Sequence, residues 1–133
     1  YKSSRIGIPA TYHADAHTNL ATASLLGPED IVIAISYSGE TRETVLAAKA
    51  AKERGAKVIA ITQANRNTLS RMADYPLFVP GEEKELRVGA MTSRTSGLLI
   101  LDLLYLGIAK HDPQRTEENL RQTRDLIRAF QEE

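Results

Sequence analysis

Residues Ile31 to Arg54 read IVIAISYSGETRETVLAAKAAKER, and this stretch decides the fold. Ile31–Ile35 is a short, fully apolar run that predicts a buried strand, and Glu43–Arg54 predicts an alanine-rich helix that Gly55 ends. A turn rich in hydroxyl groups lies between them. A buried strand that leads through a short turn into a helix is typical of a parallel α/β sheet.

The turn has the composition of an anion site. Ser36, Ser38 and Thr41 supply three hydroxyls, and Gly39 allows a ligand to approach the backbone closely. The helix that follows directs its first N–H groups at the same place, so phosphate is the expected ligand. Alternatively, Ser38 only caps the helix by accepting the N–H of Thr41. No Gly-Lys-Ser/Thr motif follows the strand, which argues against nucleotide hydrolysis.

Further strands and helices alternate on both sides of this unit. The sequence predicts strands at Ile8–Tyr12, Lys57–Thr62 and Pro76–Val79, a helix at Ala16–Leu26, and a loop with a short helix at Asn65–Ala73. The proline at the start of the last strand favours an edge position. The expected fold class is α/β, a three-layer α/β/α sandwich with a parallel sheet and right-handed crossovers.

The last third of the chain predicts two long helices. Ala90–Ala109 is apolar on nearly every face in its second half, as in a core or subunit-interface helix. Pro113 opens the final helix, in which Leu120, Ile127 and Phe130 fall on one side. These helices predict a homodimer or a higher homo-oligomer. Tyr1–Gly7 has the pattern of a helix end with a glycine stop, so we expect sequence upstream of it.

Composition excludes several classes of function. The chain has 133 residues, 17 basic and 17 acidic side chains and no cysteine. It offers no basic field for DNA, no disulfide and no apolar stretch that could span a membrane. These features predict a single domain in a soluble, cytoplasmic protein.

Polar residues outside the turn also permit more than one interpretation. His13 and His17 have the spacing of metal ligands, but a loop beside a sugar site or a helix start at Asp15 accounts for them better, so no metal is predicted. Arg94 is expected in a structural ion pair, to Asp102 or across a dimer, with ligand phosphate as the alternative.

Several motifs together resemble a known family. Ser36–Thr41 follows IVIAI, Gly55–Thr62 reads GAKVIAIT, and Leu69–Asp74 reads LSRMAD. These segments resemble the sugar isomerase (SIS) domain, which has a flavodoxin-like fold. Arg87, Ala90, Ser93-Arg94 and Asp102 add a resemblance to the SIS domain of RpiR-type bacterial transcriptional regulators.

The resemblance implies roles for individual residues. Ser36, Ser38 and Thr41, with the backbone at Gly39 and Glu40, match the positions that hold the phosphate of a phosphosugar. Residues 1–133 then form an N-terminally truncated SIS domain that lacks the family's first strand and its sugar-binding loop. The helix-turn-helix domain of these regulators is also absent, so DNA would be bound only through that missing domain. Separately, the charged connection GEEKELR follows a strand end, and we expect Glu85 to bind a sugar hydroxyl.

Three functions fit these features. The first is a domain that senses a sugar-phosphate effector for a regulator, with no catalytic residue and no cofactor. The second is an aldose–ketose sugar-phosphate isomerase, for which His13, His17 or Glu85 would be the base. The third is a dimerisation scaffold with a vestigial site. The absence of a compelling acid–base pair favours the sensor.

Overall fold

The computed structural model describes residues 1–80 and 91–131. The elements in chain order are α1 (Lys2–Arg5), α2 (Ala16–Ser24), β1 (Ile31–Ile35), α3 (Arg42–Glu53), β2 (Lys57–Gln63), α4 (Thr68–Met72), β3 (Tyr75–Val79), α5 (Met91–His111) and α6 (Pro113–Gln131). The alternation from α2 to β3 confirms the α/β class. None of the helices in the described ranges has the length and apolar character needed to cross a bilayer.

The described chain forms two compact units. One comprises Tyr12–Ile100 and contains the sheet. The other comprises Tyr1–Thr11 and Leu101–Glu133, where α1 contacts α6. In this second unit Gly7 follows α1 with a φ of 78°, which is the glycine stop that the sequence predicts.

The sheet has the order β1-β2-β3, and both strand pairs are parallel. Ile35 lies opposite Ile61, and Ile59 lies opposite Tyr75. Within the part of the chain that the structure describes, β3 lies at the edge of this sheet, where Pro76 is tolerated, as the sequence predicts. Because the three strands are parallel, their carboxyl ends lie together, and the turn of residues 36–41 lies at that end of the sheet.

Small side chains bring α3 close to the sheet. Ala34, Val58 and Ala60 on the strands pack with Ala48 of α3 and Leu69 of α4, and all five are buried. α2 packs on α3 through a second cluster that contains Ala23 and Ala51. Burial of this apolar surface fixes the start of α3 over the ends of β1 and β2.

The opposite face of the sheet is less completely covered. Ile31, Ile33 and Ile35 alternate with the buried side of β1 and remain between 45% and 62% exposed. β2 is the central strand, and it buries side chains on both of its faces.

One predicted strand is wrong. Ile8–Tyr12 has no regular secondary structure. A strand needs a neighbour that completes its backbone hydrogen bonds, and within the described residues none pairs with this segment. Other boundaries shift by one or two residues: α2 ends at Ser24 rather than Leu26, and β2 extends to Gln63.

Candidate functional site

The turn between β1 and α3 is closed by its own hydroxyl groups. Ser36 is buried, and its Oγ lies 2.8 Å from the Thr41 Oγ1. The same Ser36 oxygen accepts the Gly39 N–H at 3.1 Å. The structure thus brings three of the predicted residues together, and the chain bends around the Ser36 side chain.

Ser38 is half-buried, whereas Ser36 and Gly39 are buried. The Ser38 Oγ accepts the N–H of Glu40 at 3.2 Å rather than the N–H of Thr41. The capping bond that the alternative interpretation of Ser38 assigned is therefore wrong. A hydroxyl that accepts this bond still has its proton to donate, so it can serve an anion.

Gly39 adopts a conformation that favours glycine. Its φ is +69°, and a Cβ atom at this position would come within 2.0 to 2.7 Å of the Asn67 side chain. Its carbonyl oxygen accepts the N–H of Leu69 at 3.0 Å. The glycine is therefore needed both for the bend of the turn and for contact with the loop after β2.

The start of α3 has the character of an anion-binding terminus. Thr41 is the N-cap residue, but its side chain makes no capping hydrogen bond because the hydroxyl is engaged with Ser36. The first N–H groups of a helix have no partner within the helix, and the helix dipole gives them partial positive charge. The end of α3 beside the turn is suited to an anion.

The Glu40 carboxylate is directed to α4. Its Oε1 accepts the N–H of Thr68 at 2.7 Å, and this hydrogen bond lowers the pKa of Glu40 below its ordinary value. Only the backbone of Glu40 therefore lies within the turn, and its role in holding phosphate stays a prediction.

Two residues that sequence reasoning missed support the turn from β2 and its loop. Thr62 and Asn67 are both buried, and Asn67 begins α4 in a reciprocal capping arrangement with Ser70. Polar side chains at the end of a strand were a possible signal for them, since neighbouring strand ends share one edge of a sheet. The Asn-x-x-Ser spacing was a second signal.

The other candidate residues have different outcomes. Glu85 lies outside the described residues. Asp15 caps α2 by accepting the N–H of Thr18 at 2.8 Å, which confirms the helix-start interpretation of the histidine-containing segment. Residues 1–80 and 91–131 contain no group of three or more side chains that could hold a metal ion. Asp102 accepts a hydrogen bond from Lys2 at 2.6 Å.

Comparison with known proteins gives the family. The SIS domain model matches residues 4–107. An uncharacterised HTH-type transcriptional regulator of Caldanaerobacter subterraneus is 39% identical over 126 residues, which are 95% of this chain and 45% of the regulator. The chain thus spans less than half the length of this curated relative.

Two solved structures are also similar. The NanR protein of Vibrio vulnificus, complexed with ManNAc-6P, superposes with a TM-score of 0.87 at 28% identity over 98% of this chain and 49% of its own. The sugar isomerase domain of an RpiR transcription factor from Sphaerobacter thermophilus gives 0.73 at 28% identity over 93% and 68%. With the matched model covering most of its length, the chain belongs to the SIS domain family.

Proposed function

We propose that this chain is the effector-sensing domain of a bacterial RpiR-type transcriptional regulator and that it binds a sugar phosphate. The observation that carries the proposal is the turn of residues 36–41. Its hydroxyls and glycine lie at the uncapped start of α3, at the edge of the sheet where the strands end.

The phosphate group would lie against this turn. The Ser38 hydroxyl would donate a hydrogen bond to a phosphate oxygen, and the first N–H groups of α3 would face the same anion. The ManNAc-6P complex of NanR and the regulator relatives support this class of ligand. The bent path of the turn at Gly39 keeps these donors in place before the ligand arrives, so little ordering is required on binding.

The sensing role needs a second domain and a second state. We propose that a helix-turn-helix domain, outside residues 1–133, binds DNA in the cytoplasm, as the names of the regulator relatives suggest. The sugar phosphate can change DNA binding only if it has different affinities for two arrangements of the assembly. We propose that this assembly contains at least two copies of the chain.

A binding panel tests the function directly. Calorimetry on the full-length protein would compare N-acetylmannosamine, N-acetylglucosamine, glucose and arabinose phosphates with the corresponding unphosphorylated sugars. We expect one phosphate to bind, its free sugar to fail, and chromatography to find no isomerised product. Turnover would instead establish the isomerase alternative, and silence across a wide panel would contradict both functions.

Ser38→Ala provides the residue-level test. A hydrogen bond to a charged group contributes about 1.5 to 3 kcal/mol, so we expect the substitution to weaken binding of the phosphate by roughly ten- to a hundredfold. Thermal unfolding should change little, since among residues 1–80 and 91–131 the hydroxyl bonds only the neighbouring Glu40 N–H. Ser24→Ala is the matched control, because the Ser24 hydroxyl bonds Ala21 within α2. Unchanged affinity with reduced thermal stability would show that Ser38 is only structural.

A further inference from the structure

Asn67 lies directly behind the turn that the proposed function assigns to phosphate. It is only 2% exposed, and a Cβ atom added to Gly39 would overlap its side-chain amide. Gly39 and Asn67 therefore pack without any intervening space. A change in the size of this side chain would alter the support of the turn at the residue where the chain bends.

A relay of two hydrogen bonds runs from Asn67 to the turn. The Asn67 Nδ2 donates to the Thr62 Oγ1 at 3.0 Å, and that hydroxyl donates to the carbonyl oxygen of Tyr37 at 3.1 Å. Thr62 is fully buried, so water cannot replace either hydrogen-bond partner of its hydroxyl. The hydroxyl that accepts from Asn67 and donates to Tyr37 uses both of its functions. It holds the Tyr37 carbonyl together with the Gln63 N–H, which the same oxygen accepts at 3.0 Å.

A second route runs through α4. The Asn67 Oδ1 accepts the N–H of Ser70 at 2.8 Å and so caps this helix. The first two N–H groups of α4 then bond the turn, because Thr68 donates to the Glu40 side chain at 2.7 Å and Leu69 donates to the Gly39 carbonyl at 3.0 Å. Asn67 thus supports the turn in two ways, through the Thr62 hydroxyl and through the start of α4.

We propose that Asn67 and Thr62 are positioning residues of the phosphate turn. They hold residues 37–40 in the path that presents the Ser38 hydroxyl and the start of α3 to the anion, and they do not touch the ligand themselves. This inference rests on the proposed function, since it names the support of that same site. Neither residue belongs to the hydroxyl cluster that the sequence predicts.

Thr62→Val and Thr62→Ser form a matched pair that tests the relay. Valine keeps the shape of the side chain but removes the hydroxyl, whereas serine retains the hydroxyl. We expect Thr62→Val to weaken binding of glucose 6-phosphate and inorganic phosphate to the full-length protein by about tenfold, the lower end of the loss that follows removal of an outer-shell partner at metal sites. Thr62→Ser should restore most of that loss. Equal affinities in wild type and Thr62→Val would overturn the proposal.

Asn67→Ser tests the other member with the cap retained. Serine is a good N-cap residue, so α4 keeps its start while the amide donor to Thr62 and the packing against Gly39 are lost. We expect weaker phosphate binding, again by about tenfold, with α4 intact. Asp74→Asn is the stability control, because Asp74 bonds Val58 at the opposite end of the same strands. If Asp74→Asn weakened phosphate binding as much as Asn67→Ser does, the positioning role of Asn67 would be overturned.

A readout without ligand separates this inference from the proposed function. The Gly39 N–H bonds the Ser36 side chain within the turn, and its hydrogen exchange reports the shape of that turn. We expect faster exchange in Thr62→Val and in Asn67→Ser, with wild-type exchange in Thr62→Ser. If the wild type binds no phosphate, the proposed function is wrong. The exchange data still test whether Thr62 and Asn67 support the turn. Unchanged exchange in both variants would overturn the inference.

Discussion

At the scale of single residues, the turn keeps one conformation because its polar side chains have defined hydrogen-bond partners. Ser36 bonds Gly39 and Thr41, Ser38 bonds Glu40, and the Glu40 side chain leaves the turn to bond Thr68. The Thr41 hydroxyl faces inward, so the helix start is left without a side-chain cap. An anion can complete this arrangement because the donors are already in position.

Gly39→Ala is the most informative single change in the turn. A non-glycine residue in the left-handed region costs about 1 to 2 kcal/mol, and the contact with Asn67 adds to that cost. We therefore expect a lower free energy of unfolding, measured by chemical denaturation, and loss of sugar-phosphate binding.

Gly107→Ala is the control for that substitution. Gly107 is exposed within α5, and a Cβ atom there would meet nothing within 4 Å. Because alanine favours a helix interior over glycine by about 0.5 to 1 kcal/mol, this change should stabilise the protein slightly. A Gly39→Ala protein as stable as wild type would contradict the strain that the positive φ implies.

The candidate site was predictable from the sequence only where its residues are contiguous. Ser36, Ser38, Gly39 and Thr41 fall within six positions after a strand, and local chemistry identifies them. Thr62 and Asn67 come from another strand and its loop, and only the packing of β2 against β1 brings them under the turn. The direction of the Ser38 hydrogen bond also depends on backbone angles that composition does not specify.

At the scale of helices and strands, Asp74 joins the beginnings of β2 and β3. Its carboxylate accepts the Val58 N–H at 2.8 Å, and Lys52 and Lys57 lie within 3.6 and 4.0 Å of it. The hydrogen bond from Val58, with a smaller contribution from the two lysines, lowers the pKa of Asp74 below its ordinary value. The unfolded state therefore takes up this proton at a higher pH than the folded state does.

The sign of the pH dependence follows from that shift. Stability from the ionised Asp74 is fully present above the unfolded pKa of about 3.9 and is lost as the pH falls through the lower folded value. Denaturation measured from about pH 6 to pH 3 should show a fall in the free energy of unfolding below about pH 5, with a shallower fall in Asp74→Asn. Salt should weaken the lysine contribution and leave the Val58 bond. Equal slopes in the two proteins would contradict this assignment.

The elements themselves were largely predictable because their local signals agree with their packing. β1 matches its predicted range, and α3 and β2 differ by one residue at their ends. Ile8–Tyr12 has the composition of a strand, but composition does not supply the neighbour that a strand requires. That segment illustrates how a pairing partner, rather than propensity, decides strand formation.

At the scale of the whole molecule, the last two helices carry several large exposed apolar side chains. Leu103, Leu106 and Ile108 of α5 are about half exposed, and Leu126 and Phe130 of α6 are more than 70% exposed. The predicted stripe on α6 is divided, since Leu120 is half-buried while Ile127 and Phe130 are exposed. Apolar area of this extent on neighbouring parts of the sequence favours association with another copy.

We therefore expect the full-length protein to be a dimer or a larger oligomer at micromolar concentration, measured by light scattering. Phe130→Glu combined with Leu126→Glu should lower the mass towards that of a monomer, because two carboxylates would have to be desolvated in the interface. Circular dichroism would confirm that α6 remains helical. Leu25→Glu is the control, since Leu25 is equally exposed but follows α2, and it should leave the mass unchanged. A monomeric wild type would contradict the prediction of an oligomer. An unchanged mass in the double variant would show that the interface lies on another surface.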